Sequence, residues 1–298
     1  MDKETIYTCY VTDENRILLG LVSVKDLLLS EETKVLDEIM ETNIIYVNTQ
    51  EDQETAAQNF EKYDFLALPV VDNENRLVGI ITVDDAIDVI QEEATEDIEK
   101  MAAIMPTDKP YMKTGVLETY KKRILWLLLL MISATFTGKI ISSFENALSA
   151  CVVLTAFIPM LMDTGGNSGG QASVTIIRSM SLGDVEMKDI FKVLWKELRV
   201  SLLCGVTLGA ANFGKMMLID RNSIISSGQS VMGVALVVCL TLVVTVVIAK
   251  LIGCSLPMLA KKIGFDPAVM ASPFITTIVD AVSLIIFFKI AVLILHIG

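Results

Sequence analysis

The second half of the chain contains five long stretches that are almost free of charge, and they constrain the fold more than any other feature. A helix needs about 20 apolar residues to cross a bilayer core of about 30 Å, and Lys139 can snorkel to extend the shortest stretch. A soluble core would not supply five such stretches in so short a segment. The sequence therefore predicts an α-helical membrane protein with five transmembrane helices per protomer, at about residues 123–144, 146–178, 194–214, 224–250 and 270–295.

Charge divides the chain into two parts. Residues 1–110 hold 26 acidic and 8 basic residues, a net charge of −18, whereas residues 111–298 hold 10 acidic and 16 basic residues, a net charge of +6. This distribution excludes a purely soluble enzyme, argues against nucleic acid as a partner and favours cations. An enzyme is also disfavoured because the single histidine, His296, lies near the carboxyl end with no nucleophile beside it, and no Walker motif occurs.

The basic residues predict the orientation. The first 30 residues lack a basic start followed by an apolar run, so we expect no signal peptide and a cytosolic amino terminus. Only Lys139, Lys215 and Arg221 then flank the spans on the outside, which by the positive-inside rule predicts an amino terminus in and a carboxyl terminus out in the cell membrane. Twelve basic residues flank the spans on the inside: Lys113, Lys121, Lys122, Arg123, Arg178, Lys188, Lys192, Lys196, Arg199, Lys250, Lys261 and Lys262.

Asp280 lies near the middle of the predicted fifth span. An ionisable side chain at that depth costs at least about 2.5 to 3.5 kcal/mol, so it requires a reason. Pro273, Thr276, Asp280 and Ser283 share one helical face, which gives a stripe of oxygen atoms around one carboxylate. Such a stripe is typical of an ion path, and the alternative is a hydrogen bond that locks neighbouring helices together.

The predicted second span contains a glycine-rich segment, residues 163–171. Four glycines within six residues are expected to break or loosen a helix, and non-helical backbone at membrane depth is tolerated where it is buried or lines a wet cavity. Freed carbonyl groups beside Asp163 and Asn167 would supply hard oxygen ligands. The alternative is close helix packing through Gly165 and Gly169, which are four residues apart, and both interpretations can hold together.

An internal repeat organises the acidic part. Residues 11–26 parallel residues 71–85 if one inserted residue is allowed, and each copy reads strand, polar turn, strand, helix. Each copy also has a capping pattern at the start of its helix. Between the copies, the pattern predicts helices at 35–40 and 55–62 and strands at 44–47 and 67–71.

A run of carboxylates follows the second copy. Acidic residues three and four apart on one helix face repel each other, so we expect a cation to neutralise them. Carboxylates without His or Cys suit Mg²⁺ or Ca²⁺ rather than zinc or copper, and the alternative is an ordinary solvated acidic face. The predicted regulatory metal ligands are Asp84, Asp85, Asp88, Glu92, Glu93, Glu96 and Asp97.

The repeat resembles the CBS domain, a small α/β module that works in pairs. The second copy, residues 36–92, has the module's strand and helix-start pattern in 68–71 and 79–85, whereas the first, within residues 1–35, lacks the opening helix and strand. CBS pairs often bind adenine nucleotides, so the resemblance implies an ATP site, with Asp85 after Thr82 at the position that commonly contacts ribose.

The whole chain resembles the MgtE family of magnesium channels, on residues 163–167 of the second span and 273–280 of the fifth. Family members are homodimers with a central pore, and the resemblance implies that Asp280 holds a hydrated Mg²⁺ and that Asp266 lies at the cytosolic mouth. It also implies an acidic connecting helix at about 86–115 and a transmembrane domain at 116–298. The family usually has an acidic helical domain before its CBS pair, and nothing in this chain corresponds to it. The implied pore ligands are Asp280, Asn167, Thr276, Asp163 and Gly166.

These features predict a passive Mg²⁺ channel or transporter that is gated by Mg²⁺ bound to the acidic region. One Asp280 per chain supplies −1, so a dimer would balance a divalent ion, and the predicted partners are a second copy, the lipid bilayer, divalent cations and ATP. Two alternatives remain open. One is a divalent-cation transporter coupled to Na⁺ or H⁺, and the other is a membrane-anchored Mg²⁺ sensor without a pore.

Overall fold

A computed structural model describes residues 7–107, 109–270 and 272–297. The chain forms two compact units, residues 1–96 and 97–298, each with its own packing. The first unit is an α/β structure and the second is helical. This division follows the charge boundary in the sequence, because the apolar helices all belong to the second unit.

The first unit contains two small sheets. β1 and β2 pair as an antiparallel hairpin, β4 and β5 form a second hairpin, and the short β3 runs parallel to β4. The core lies under the second sheet, where Phe60 of α3 packs with Leu68 of β4 and Ala86 of α4. The elements are β1 (Thr8–Thr12), β2 (Leu18–Ser23), α1 (Val24–Leu29), α2 (Leu36–Ile39), β3 (Val47–Asn48), α3 (Gln53–Tyr63), β4 (Ala67–Val71), β5 (Leu77–Thr82) and α4 (Val83–Met101), whose last residues, from Asp97, belong to the second unit.

The turns of the two hairpins are built in the same way. In the first turn, Oδ1 of Asp13 accepts hydrogen bonds from the amides two and four residues later, both at 2.8 Å. In the second turn, Oδ1 of Asp72 accepts the two equivalent bonds, both at 2.9 Å. Asp13 and Asp72 are therefore equivalent, so the copies align without the inserted residue that the sequence comparison assumed. In each copy, the aspartate that accepts these hydrogen bonds fixes the length of the turn. The alignment by sequence instead paired Asn15-Arg16 with Asn75-Arg76, because these residues are identical, and this shifts the turn by one residue.

The two turns also bond to each other about a local two-fold axis. The Leu18 amide donates to the Asn75 carbonyl at 3.0 Å, and the Leu77 amide donates to the Arg16 carbonyl at 2.8 Å. Arg16 and Asn75 are themselves equivalent positions, and both have positive φ, at 67° and 58°. The repeat is thus a structural pair within the first unit.

The second unit is a bundle of long helices. α10 packs against α7, α8 and α11, so it lies at the centre of the bundle, and Phe287 and Phe288 of α11 are fully buried in its core. The helices are α5 (Val116–Ser143), α6 (Glu145–Ala150), α7 (Ile158–Ser181), α8 (Ile190–Lys215), α9 (Arg221–Ser226), α10 (Val231–Lys262) and α11 (Ser272–Leu295).

Within the described residues, four helical segments are long and apolar enough to cross a membrane: Val116–Ser143, Met187–Ser226, Val231–Lys262 and Pro267–Leu295. α7, which corresponds to the predicted second span, is not among them. Its glycine, asparagine and glutamine residues lower its hydropathy even though it runs for 24 residues. The count of five spans therefore stays a prediction.

Two helix ends differ from the sequence prediction. The predicted connecting helix at 86–115 ends at Met101, because Ala103 takes a left-handed conformation with φ of 55° and Pro106 disfavours helix at the preceding residue. α10 runs to Lys262 rather than ending near Lys250. Lys250 is 6% exposed, and its Nζ atom lies 4.0 Å from a carboxylate oxygen of Glu197 on α8. Lys250, which the sequence placed at the inside flank of the predicted fourth span, thus lies within α10 and is buried, since an acidic partner allows the cation to be buried.

Candidate functional site

Asp280 on α11 carries a carboxylate oxygen with no partner. Its Oδ1 atom is buried and makes no hydrogen bond within the described part of the chain. The charge of Asp163 on α7 acts on Asp280 and repels it. A half-buried carboxylate that has a repelling neighbour and a buried, unpaired oxygen is energetically costly, and a cation would satisfy that oxygen.

The glycines of α7 bring this helix against α10 and α11. A Cβ atom added at Gly165 would lie 2.8 Å from Cγ2 of Thr245, and one at Gly166 would lie 2.8 Å from Cγ2 of Thr276. A Cβ added at Gly169 would lie 2.8 Å from Cγ2 of Ile275 on α11. These separations are shorter than side-chain contacts allow, so only glycine permits the approach.

α7 is continuous through its glycine-rich segment, which corrects the expectation that four glycines would break or loosen the helix. The reason is tertiary packing, because the glycine face is covered by neighbouring helices and a broken helix would lose that contact. Carbonyl groups in a continuous helix accept helical hydrogen bonds, so the backbone is not freed as the sequence analysis expected. Gly166 instead brings α7 next to Thr276, another predicted pore residue.

The opposite face of α7 is polar and exposed. Asp163, Asn167 and Gln171 are four residues apart, so they form one stripe, and all three are exposed in the single chain. A polar stripe in a helix surrounded by apolar helices is unfavourable against lipid. It therefore requires water or another polar surface, which fits the predicted role of Asp163 and Asn167.

Several hydroxyl groups in this region were not predicted from the sequence. The hydroxyls of Thr241 and Thr245 on α10 and of Ser173 on α7 are buried without a hydrogen-bond partner in the described residues. Ser283, on the predicted stripe of α11, is 2% exposed. The signal that could have found Thr241 and Thr245 is their spacing of four residues in an otherwise apolar helix.

Asp266, the predicted residue of the cytosolic mouth, is fully engaged in the structure. Its Oδ2 atom pairs with Nζ of Lys100 at 2.6 Å, and its Oδ1 atom accepts the amide of Ala268 at 2.8 Å. The second bond caps the short 3₁₀ helix Pro267–Met270. In this arrangement, the Lys100 ammonium group occupies the position that a metal ion would take on Asp266.

The acidic residues of α4 do not converge on one point. Within the described residues, no group of three or more His, Cys, Asp and Glu side chains is arranged to hold a metal ion. Glu93 accepts a hydrogen bond from Gln53 at 2.7 Å, whereas Asp84, Asp85, Asp88 and Glu92 are exposed. The regulatory ligand set, which also includes Glu96 and Asp97, therefore stays a prediction.

The predicted nucleotide residues form the start of α4. The Thr82 side chain is buried, and its hydroxyl donates to Oδ2 of Asp85 at 2.9 Å. The same hydroxyl lies beside Asp84 and, as the largest contribution, holds the pKa of that carboxyl group below its ordinary value. Thr82 and Asp85 are thus brought together, and this pair accounts for the capping pattern that the sequence predicted.

Two family models match the chain. Residues 158–290 match MgtE, described as a divalent cation transporter, and residues 36–92 match the CBS domain. These ranges cover α7 to α10 and most of α11, with all the predicted pore residues, and the second repeat of the first unit.

Known relatives match nearly the whole chain. It is 39% identical over 295 residues to the magnesium transporter MgtE of Thermus thermophilus, a match that covers 99% of this chain and 63% of that protein. It is 38% identical over 293 residues to the magnesium transporter MgtE of Bacillus subtilis, covering 98% and 62%. The chain thus spans less than two thirds of the length of these relatives.

Solved structures also match part of the chain. The crystal structure of the cytosolic domain of the Mg²⁺ channel MgtE in complex with ATP is 50% identical, covers 30% of this chain and 36% of that chain, and has a TM-score of 0.29.

Proposed function

This chain belongs to the MgtE family of divalent cation transporters, and from this membership we propose that it conducts Mg²⁺ passively across the cytoplasmic membrane as a homodimer. The observation that carries the proposal is the unpaired, buried carboxylate oxygen of Asp280 in an apolar helix. A protein rarely retains such a group without a function. The transported ion supplies the missing partner.

Charge and hydration favour Mg²⁺ at Asp280. Two copies of Asp280 about a two-fold axis would supply −2, which balances one divalent ion. Mg²⁺ loses its water molecules reluctantly, so a site with few carboxylates and neighbouring hydroxyl and amide groups suits the hydrated ion. Thr276 on α11 and Asp163 and Asn167 on the exposed stripe of α7 would contact that water shell.

The exposed stripe of α7 supports the dimer as well as the pore. A single chain leaves Asp163, Asn167 and Gln171 without cover, and these side chains are unfavourable against lipid. In a homodimer, the two stripes would face each other across a water-filled path. Five spans, with the amino terminus in the cytosol and the carboxyl terminus outside, agree with the excess of Lys and Arg on the predicted cytosolic flanks.

The decisive experiment replaces Asp280 by Asn. We expect the uptake of Mg²⁺ by proteoliposomes under a fixed membrane potential to fall at least about ten-fold, which corresponds to a barrier increase of only about 1.4 kcal/mol. The matched control is Asp184→Asn, which removes the same charge from an exposed position of the second unit. Wild-type uptake by the Asp280→Asn dimer would contradict the proposal and favour a sensor without a pore. Dependence on a Na⁺ or H⁺ gradient at clamped voltage would identify a coupled transporter instead.

Regulation by cytosolic Mg²⁺ is the second part of the proposal. The exposed carboxylates of α4 repel each other when Mg²⁺ is scarce, and bound Mg²⁺ would favour a compact, non-conducting arrangement. Such a population shift requires tighter binding to the closed arrangement. The predicted ligands are Asp84, Asp85, Asp88, Glu92, Glu93, Glu96 and Asp97, with Asp266 at the mouth when Lys100 is displaced.

Limited trypsin digestion tests this regulation at the end of α4 and in the segment that follows it. Cleavage after Lys100 or Lys113 should slow down when millimolar Mg²⁺ is added to the full chain. The double variant Asp88→Asn, Glu92→Gln should lose this protection. A control variant, Asp37→Asn, Glu38→Gln, removes the same charge from exposed positions of α2. In this variant, Mg²⁺ should still protect the chain from cleavage. Equal cleavage with and without Mg²⁺ in the wild type would contradict the gate.

ATP binding by the first unit also stays within the proposal. The CBS match and the paired Thr82 and Asp85 side chains support a ribose contact at the start of α4. Isothermal titration of the full chain with ATP measures it directly. Replacement of Asp85 by Asn should weaken binding, and equal affinity for both proteins would remove Asp85 from the site.

A further inference from the structure

The cytosolic end of α5 carries an open groove of about 550 Å³ that the transport proposal does not use. The groove lies within the second unit, between the short 3₁₀ helix Tyr111–Lys113 and the first three turns of α5. Its polar end is formed by Tyr111, Thr114, Thr119, Tyr120 and Arg123, with the exposed apolar side chains of Met112 and Val116 beside them, and its other end by Ile124 and Leu127. The groove is therefore amphipathic along the helix axis.

The α5 residues of this groove share one helical face. Thr119, Arg123 and Leu127 are four residues apart, so they lie above one another over about 12 Å of the helix. Apart from the first residue, Val116, the polar lining side chains of α5 come first, and the apolar Ile124 and Leu127 follow toward the middle of the span. This order matches the passage from headgroup to hydrocarbon in a bilayer.

Unpaired positive charge lies in the segment that forms the polar end of the groove, and Arg123 lines the groove itself. Lys113, Lys121 and Arg123 form no ion pair or hydrogen bond through their side chains to the part of the chain that the structure describes. Neighbouring cations do have partners, since Lys109 pairs with Glu118 at 2.9 Å and Lys122 donates to the Pro106 carbonyl at 2.6 Å. The groove thus offers a free guanidinium group for an anion.

Two tyrosines complete a surface typical of a membrane interface. Tyr111 is 75% exposed and Tyr120 is 57% exposed, although both are large aromatic residues. Tyrosine favours the headgroup level of a bilayer because its ring is apolar and its hydroxyl is polar. On the cytosolic side, this level also contains anionic phospholipids.

We propose that this groove is a binding site for an anionic phospholipid of the inner leaflet. The phosphate lies against the Arg123 guanidinium group and the hydroxyls of Tyr111 and Tyr120, and an acyl chain follows Ile124 and Leu127. The Arg123 fork can donate two parallel hydrogen bonds to a phosphate. The inference requires that α5 span the membrane, but it does not require that the protein conduct Mg²⁺.

Native mass spectrometry of the full chain in a non-ionic detergent tests the site. The probes are phosphatidylglycerol and phosphatidylcholine at equal concentration, with inorganic phosphate as a soluble competitor. We expect the protein to retain phosphatidylglycerol in preference to phosphatidylcholine and to keep it when inorganic phosphate is added. Equal retention of the two lipids, or displacement by inorganic phosphate, would overturn the proposal.

Two variants test whether the lipid binds in this groove. Arg123→Gln should reduce the retention of phosphatidylglycerol about five-fold, the effect of one basic residue near an anionic lipid surface. Leu127→Trp fills the apolar end without changing the charge, and it should also reduce retention. The matched control is Arg199→Gln, which removes an exposed arginine of α8 outside the groove and should retain the lipid as the wild type does.

The outcomes separate a specific site from a general effect of charge. Wild-type retention by both groove variants would refute the site, as would an equal loss in the Arg199→Gln control. Thermal melting of each variant checks that it is folded before lipid is added. Mg²⁺ uptake is not measured in this experiment, so failure of the lipid site and failure of the transport proposal are distinguishable.

Discussion

Asp72 and Asp280 are carboxylates in the two units, and the structure uses them in opposite ways. Asp72 accepts two backbone hydrogen bonds and closes the turn of a hairpin. Asp280 has a buried oxygen without a partner, and its neighbour Asp163 repels it. The first arrangement stabilises the fold, whereas the second costs stability. Asp72 thus builds structure, whereas Asp280 keeps an unsatisfied oxygen, which our proposal assigns to the transported ion.

Asp280 can keep an unpaired oxygen only if the surrounding helices are held rigidly in place. The close contact of α10 with α7 at Gly253 tests whether they are. A Cβ atom added there would collide with the carbonyl group of Gly169 and would lie 3.1 Å from its Cα atom. The colliding atoms are backbone, so a rotamer change cannot relieve the clash. We expect Gly253→Ala to lower the free energy of unfolding by about 3 kcal/mol, the upper part of the usual range for overpacking.

Thermal unfolding of the purified protein in detergent measures this effect. Gly138→Ala on α5 is the matched control, because nothing lies within 4 Å of a Cβ atom added at that position. The control should be neutral or more stable, since alanine favours helix by about 1 kcal/mol over glycine. Equal melting temperatures for the two variants would mean that α7 and α10 are not held by backbone contact.

The sequence predicted most elements of the acidic unit because their signals are local, although the strand expected at 44–47 forms only at Val47–Asn48. β4 occupies the predicted residues 67–71, and both capping patterns mark real helix starts, after Ser23 and after Thr82. The alignment of the repeat was off by one residue. The identical side chains favoured an alignment that is shifted by one residue. The structure gives the other alignment, because the acceptor atoms of Asp13 and Asp72 fix the two turns in the same way.

The helical unit was less predictable because its signals are not local. Asp280 could be found from the sequence, since a single acid in an apolar span is conspicuous. The continuity of α7 depends on contacts with Thr245, Ile275 and Thr276, which no local pattern contains. The burial of Lys250 depends on Glu197 in another helix, and the pairing of Asp266 depends on Lys100, 166 residues away.

The opposed roles of the two carboxylates predict opposite effects on stability. Asp280→Asn removes the charge of a half-buried carboxylate whose Oδ1 atom has no partner, so we expect the free energy of unfolding to rise by about 1 kcal/mol, as for other relieved functional sites. Uptake of Mg²⁺ falls in the same variant. The measurement is thermal unfolding with a chelator present, because bound Mg²⁺ would stabilise the wild type selectively.

Asp184→Asn again serves as the control for Asp280→Asn, and its melting temperature should equal that of the wild type. A fall in stability for Asp280→Asn would give the opposite conclusion about α11. It would mean that the carboxylate makes a structural hydrogen bond between helices, which is the alternative that the sequence left open.

The smallest expected effect concerns Asp72. Asp72→Asn should leave Mg²⁺ uptake unchanged and lower the melting temperature of the acidic unit slightly, because an amide accepts the two turn hydrogen bonds less strongly than a carboxylate does. The amide of Arg76, and then that of Glu74, hold the pKa of Asp72 below its ordinary value. The carboxylate therefore stabilises the fold above its unfolded pKa of about 4, and this contribution is lost as the pH falls through the lower, folded pKa.

The pH dependence separates the Asp72 turn from a general effect of charge. The difference in melting temperature between the wild type and Asp72→Asn should be full at neutral pH and should disappear in strong acid, where both side chains are neutral. Glu14→Gln is the matched control, because Glu14 is exposed in the first turn and should melt as the wild type does at every pH. A difference that persists in strong acid would assign the effect to the shape of the side chain. In that case, the contribution of Asp72 to stability would come from the packing of its side chain and not from its negative charge, and the contrast with Asp280 would be one of packing.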